Sequence, residues 1–139
     1  MKISDSIKEY ILDDLDFALK KMEEAKDKDE LLYFFSAFAG AVHRAFNIEY
    51  KSDLVFAHLI LKTTHETITA RLKSILSGNE KNIPLYEHQF ETLIQISKEF
   101  RDKISDNKSF DSVLKKMAIL TYSATGNGYY LYSKGLIKI

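Results

Sequence analysis

Apolar residues recur at every third or fourth position along most of the chain, the period of helices buried on one face. Ile3, Ile7, Ile11, Leu15, Ala18, Met22 and Ala25 predict a first amphipathic helix. Glu9, Asp13, Asp16 and Glu23 share that period on the opposite side. Ser6 with Glu9 has the form of a capping box, and Ser4 and Asp5 are alternative caps. "AKDKDE" breaks the pattern, and Asp29 is placed to cap a second helix running to about Asn47. Its stretch "LLYFFSAFAGAVHRAF" is apolar nearly all round, with a narrow polar stripe at Ser36, Gly40, His43 and Asn47. Such a helix sits centrally in a bundle or half-buried in an oligomer interface. Ala37, Ala39, Gly40 and Ala41 would let a neighbour approach closely.

Ser52 or Asp53 caps a third helix running to Ser77, and Gly78 is its natural stop. Its stripe is Leu54, Ala57, Leu61, Ile68, Leu72 and Ile75. "GNEKNIP" is a loop, and Pro84 suits the first turn of a fourth helix, where a missing N–H costs nothing. Phe90, Leu93, Phe100 and Ile104 line that helix, and a last segment begins near Ser109. Short loops between long helices imply antiparallel neighbours. The expected fold is all-α: one domain over residues 1–139, an up-and-down bundle of four long helices plus one or two shorter ones.

The segment "TYSATGNGYYLYSKG" is ambiguous. An Asn-Gly pair between β-formers signals a hairpin, yet neither flank alternates apolar with polar. Phe110, Leu114, Met117, Thr121, Ala124, Gly128 and Leu131 step by four and three without a slip. That spacing predicts a helix, continuous or kinked, across the glycines, although each glycine costs about 1 kcal/mol against alanine. The alternatives are a helix ending near Thr125 followed by a short one, or a hairpin. A phosphate loop fails, since its glycines normally link a strand to a helix N-terminus.

Composition removes several chemistries. With no cysteine among 139 residues, disulfides, thiolate metal sites and cysteine nucleophiles are absent. The N-terminus is charged and unlike a signal peptide. The longest apolar run, Leu31 to Val42, falls short of the roughly 20 residues that span a bilayer. A soluble, cytoplasmic chain without membrane contact is expected. Net charge is zero but uneven. Residues 1–30 hold 6 basic and 10 acidic groups, and residues 98–139 hold 8 basic and 4 acidic. Terminal helices lying side by side, or meeting across an oligomer interface, suit that split. No Lys–Arg stripe is concentrated enough to track phosphates, which makes nucleic acid an unfavoured partner.

Histidines are the best candidates for chemistry. His58 and His65 share one side of the third helix, but their seven-residue spacing rises about 10.5 Å, too far for one metal. His88 has Glu91 three residues on. Di-iron bundles need Glu-x-x-His on two helices, whereas Gly40, Val55, Lys62 and Leu85 stand three before the four histidines. The Arg-to-His spacing of HEPN-type helical nucleases is missing after Arg44, Arg71 and Arg101. No serine-nucleophile elbow occurs. Tyr129, Tyr130 and Tyr132 cannot all face one way on a helix, and surplus tyrosines point to an interface. No catalytic, cofactor or metal residue is assigned. His58, His65, Tyr122, Gly126, Gly128, Tyr129 and Tyr132 are the candidate ligand or interface residues.

The helix order, with "YFFSAFAGAVHRAF" and the terminal "TYSATGNGYYLYSKG", resembles a small archaeal family of unknown function. The resemblance implies a left-handed antiparallel four-helix bundle with extra short helices, and no catalytic residue. The favoured function is non-enzymatic: self-association, with a dimer first, or binding to a protein partner. The rival is a small-molecule- or metal-binding bundle with a cavity near the glycines. A third option is a subunit of a nucleic-acid-processing complex, its basic C-terminal half touching phosphate.

Overall fold

Five α-helices form among the described residues of the computed structural model: α1 (Asp5–Glu23), α2 (Lys28–Ile48), α3 (Ser52–Leu76), α4 (Ile83–Ser105) and α5 (Asp111–Ser123). The description covers residues 3–78, 83–125, 130–131 and 133–136, with the backbone alone for 83–88. The architecture is all-α, four long helices and a shorter one. No described helix is long and apolar enough to cross a membrane.

Local chemistry sets the helix ends. Ser4 caps α1, not Ser6, and its side chain is drawn away to the carboxylate of Glu49. Asp27, not Asp29, caps α2: its Oδ1 accepts the Glu30 N–H at 2.8 Å, while Glu30 accepts the Lys26 N–H at 3.0 Å. That reciprocal pair satisfies two donors at once, which Asp29 inside the first turn cannot do. Gly78 ends α3 with φ of +81°. Asn107 ends α4 with φ of 55°, and the Lys108 N–H reaches back to the Lys103 carbonyl at 2.9 Å. This is the left-handed stop that asparagine tolerates better than most side chains.

Cross-contacts give the order and direction of the helices. Arg44 meets Asp14 at 2.8 Å and Phe34 meets Phe17, so α1 and α2 are antiparallel. His58 meets His43 and His65 meets Phe35, which makes α2 and α3 antiparallel. Asp16 pairs with Arg101 and Glu23 with Lys98, setting α4 antiparallel along α1. α5 then lies between α3 and α4. It is antiparallel to α4 through Lys116–Glu99 and Ser123–Gln89, and parallel to α3 through Thr121–Thr64 and Ala124–Arg71. The acidic side of α1 thus finds basic partners on α4 within the chain.

The core follows the apolar stripes. Ile11, Leu15, Phe35, Phe38, Leu54, Leu61, Ile68, Leu93, Phe100 and Phe110 are fully buried. Phe100 bridges the layers, its ring centre 5.9 Å from Phe38 and 5.0 Å from Phe110. α2 is covered inside the chain along Leu31, Leu32, Phe35, Phe38, Ala39, Ala41, Val42 and Ala45. Ser36, His43 and Asn47 are exposed, as their polar stripe implies. Gly40 receives no helix: an added Cβ would meet only the Arg44 guanidinium, at 3.4 Å.

α5 ends at Ser123, ahead of the glycines. The Ala124 and Thr125 N–H groups bond carbonyls three residues back, at 3.1 and 3.0 Å. The Ala124 carbonyl accepts from Arg71 at 3.2 Å. Helix α5 is thus interrupted at Ala124 and Thr125, where an unbroken helix was expected; residues 126–129, on which the kinked-helix and hairpin readings turn, lie outside the described residues, and 130–131 and 133 are helical.

Candidate functional site: the groove between α3 and α5

Two parallel helices leave a groove of about 410 Å³ between their outer faces. α3 contributes Leu59, Ile60, Thr63 and Thr67; α5 contributes Ala118, Thr121 and Tyr122. Spacing explains the lining, because positions 59, 63 and 67 follow one face of a helix, as do 118 and 122. Phe56 continues the α3 face one turn lower. Phe56 is 57% exposed and Leu59 55%.

Beneath the groove the seam between the helices is polar and bonded. Thr64 and Thr121 hydroxyls lie 2.6 Å apart. Each is also 2.8 Å from the carbonyl four residues back, on Ile60 and Met117. A hydroxyl has one proton, so one threonine donates across the seam while the other donates along its own helix. Above them Gln89 Nε2 donates to Ser123 Oγ at 3.0 Å, and Ser123 donates to the Leu120 carbonyl at 2.7 Å. Arg71, 6% exposed, donates to the Ala124 carbonyl at 3.2 Å. A cation at a helix C-terminus opposes the partial negative charge of the terminal carbonyls. A second hollow continues upward past Glu66, Thr67, Ala70 and Ser74.

The other flank of α3 carries the histidines. His43 and His58 have ring centres 4.8 Å apart, with Phe46 against both. His65 stacks on Phe35 at 6.4 Å. Burial pushes the His58 pKa down, and the neighbouring His43 and Lys62 charges push it further. Burial also lowers His65, partly offset by Glu66 and the Leu32 carbonyl. Among the described residues, no group of three or more His, Asp and Glu side chains is arranged to hold a metal.

The candidate residues therefore separate. His58 and His65 face α2, whereas Tyr122 lines the groove on the opposite flank. Gly126, Gly128, Tyr129 and Tyr132 lie outside the described residues. Sequence reasoning missed the His43–His58 pair, which no spacing along one helix reveals. It also missed Phe56 and Leu59, whose signal was present: two large apolar side chains that fall off the stripe of α3.

Comparisons with family models, curated proteins and solved structures find no match.

Proposed function

We propose that the chain is a non-enzymatic helical-bundle protein that works by self-association, as a dimer, in the cytoplasm. The observation that carries this reading is the exposed Phe56–Leu59 pair beside the α3–α5 groove. Water contact with clustered apolar side chains is unfavourable, and such clusters rimmed by polar residues mark association surfaces. Tyr122, on the same face, adds an amphipathic ring of the kind enriched at interfaces.

Sedimentation at micromolar concentration tests the reading. A dimer is expected, converted to monomer by Leu59→Asp with the helical circular dichroism unchanged. A strict monomer for the parent chain sinks it.

A second reading has one observation in its favour. The groove falls within the roughly 300–1,000 Å³ range of small-ligand sites, and Thr63, Thr67 and Thr121 place hydroxyls among apolar walls. This suits a small-molecule-binding bundle. Native mass spectrometry would support it by a retained mass that Thr67→Leu abolishes, and a clean mass of the bare chain counts against it.

A further inference from the structure

We propose that His43 of α2 and His58 of α3 form an open site for a divalent transition-metal ion, copper(II) the tightest bound, which joins the two helices.

The two rings belong to different helices and meet only because the chain folds. Their centres lie 4.8 Å apart, with the ring planes tilted by 46°. A metal bound to an imidazole nitrogen at about 2.0–2.1 Å lies roughly 3.2 Å from the centre of that ring. Two ring centres 4.8 Å apart then subtend about 97° at one shared ion. That angle falls between the right angle of tetragonal copper(II) and the wider angle of tetrahedral zinc. The χ2 torsion of histidine is broad, so each ring can turn to aim a nitrogen at the shared point. Such a turn leaves the ring centre nearly in place, because the centre lies close to the axis of rotation.

The nitrogens are also accessible and basic. His43 is exposed and His58 half-buried, so an ion reaches the pair from water. Among the described residues neither ring makes a hydrogen bond, whereas His65 is held at the Leu32 carbonyl. Burial lowers the His58 pKa, and the charges of His43 and Lys62 lower it further. At neutral pH that ring is uncharged and offers a lone pair. Phe46 walls one side, its ring centre 4.9 Å from His43 and 5.6 Å from His58. An apolar wall of this kind limits solvent access around a bound ion.

The donor set selects the metal. Imidazole suits copper, nickel and zinc, while magnesium and calcium require oxygen ligands. Among the divalent ions the ordinary affinity order places copper(II) first. Lys62, one turn beyond His58, works against any bound cation, and the metal–nitrogen bonds must outweigh it. Two protein ligands leave the remaining coordination positions to water. Closed structural zinc sites use four protein ligands, so this pair takes up and releases its ion.

Isothermal titration calorimetry of the full chain with copper(II), nickel(II), zinc(II) and magnesium tests the site. The parent should bind copper(II) most tightly, then nickel and zinc, with no heat from magnesium. His43→Gln and His58→Gln should each weaken copper binding by about tenfold or more. The double variant should fall close to the single ones, because losing either ring already breaks the chelate. Whatever binding survives in it belongs to the N-terminal amine and the other histidines. His65→Gln should bind as the parent does. Circular dichroism without metal checks that each variant keeps its helices. A parent that binds copper no better than the double variant overturns the site. Single variants with parental affinity, or an equal loss in His65→Gln, overturn it as well.

Discussion

Arg71 of α3 donates from Nη1 to the Ala124 carbonyl at 3.2 Å, so a buried cation closes the C-terminal end of α5. The contact ties the fifth helix to the third at the level where α5 stops. Removing the guanidinium while keeping the apolar stem isolates its share. Arg71→Met should lower the free energy of unfolding by about 2 kcal/mol, the scale of a charged hydrogen bond placed at a helix end. Urea denaturation measures it. Loss below about 0.5 kcal/mol, the scale of an ordinary surface change, would mean that the cation adds nothing beyond its packing.

Acid should weaken the fold through the histidine flank. His58 and His65 have pKa values pushed below 6.5, chiefly by burial, with His43 and Lys62 adding to the effect on His58. Below that value the unfolded chain takes up protons that the folded chain resists. The contribution is fully present above about pH 6.5 and is lost as pH falls through the lowered folded values. Thermal melts should be level between about pH 7 and 8, then decline below about 6.5. His58→Gln should remove part of the decline. An unchanged slope in that variant would show that His58 titrates as it does in the unfolded chain.

Gly40 offers a gain. Alanine there would meet only the flexible end of Arg44 at 3.4 Å, while glycine inside a helix costs about 0.5–1 kcal/mol. Gly40→Ala should therefore stabilise the protein by up to about 1 kcal/mol, seen as a higher melting temperature. A fall would reveal that Arg44 cannot move aside without giving up Asp14.

Helices and their inner faces were legible because burial imposes a period. Leu54, Ala57, Leu61 and Ile68 on α3, and Leu93, Phe100 and Ile104 on α4, were expected inward and are buried. The apolar stripe of α3 passed over the polar positions 64 and 71, yet both lie inside the core. Thr64 and Arg71 are buried there against Thr121 and Ala124, but nothing local to α3 names those partners. Neighbour choice among helices depends on the shapes of opposed faces, which a period does not encode. So the parallel placement of α5 was invisible, as was the meeting of His43 with His58 across the α2–α3 hairpin. Caps were readable only as short menus: Ser4, one of three candidates for α1, is the residue used, whereas α2 begins from Asp27.

Insertion of α5 between α3 and α4 has a consequence for the order of assembly. Val113, Leu114, Met117 and Leu120 are buried only once the fifth helix is in place. During synthesis the first four helices leave the ribosome before it does, with the seam it fills still open to water. Helices α1 and α2 can pair early through neighbouring sequence, but the wall between α3 and α4 must wait. The nascent chain should thus pass through a stage with apolar walls uncovered, and completion of the core awaits the arrival of its final wedge.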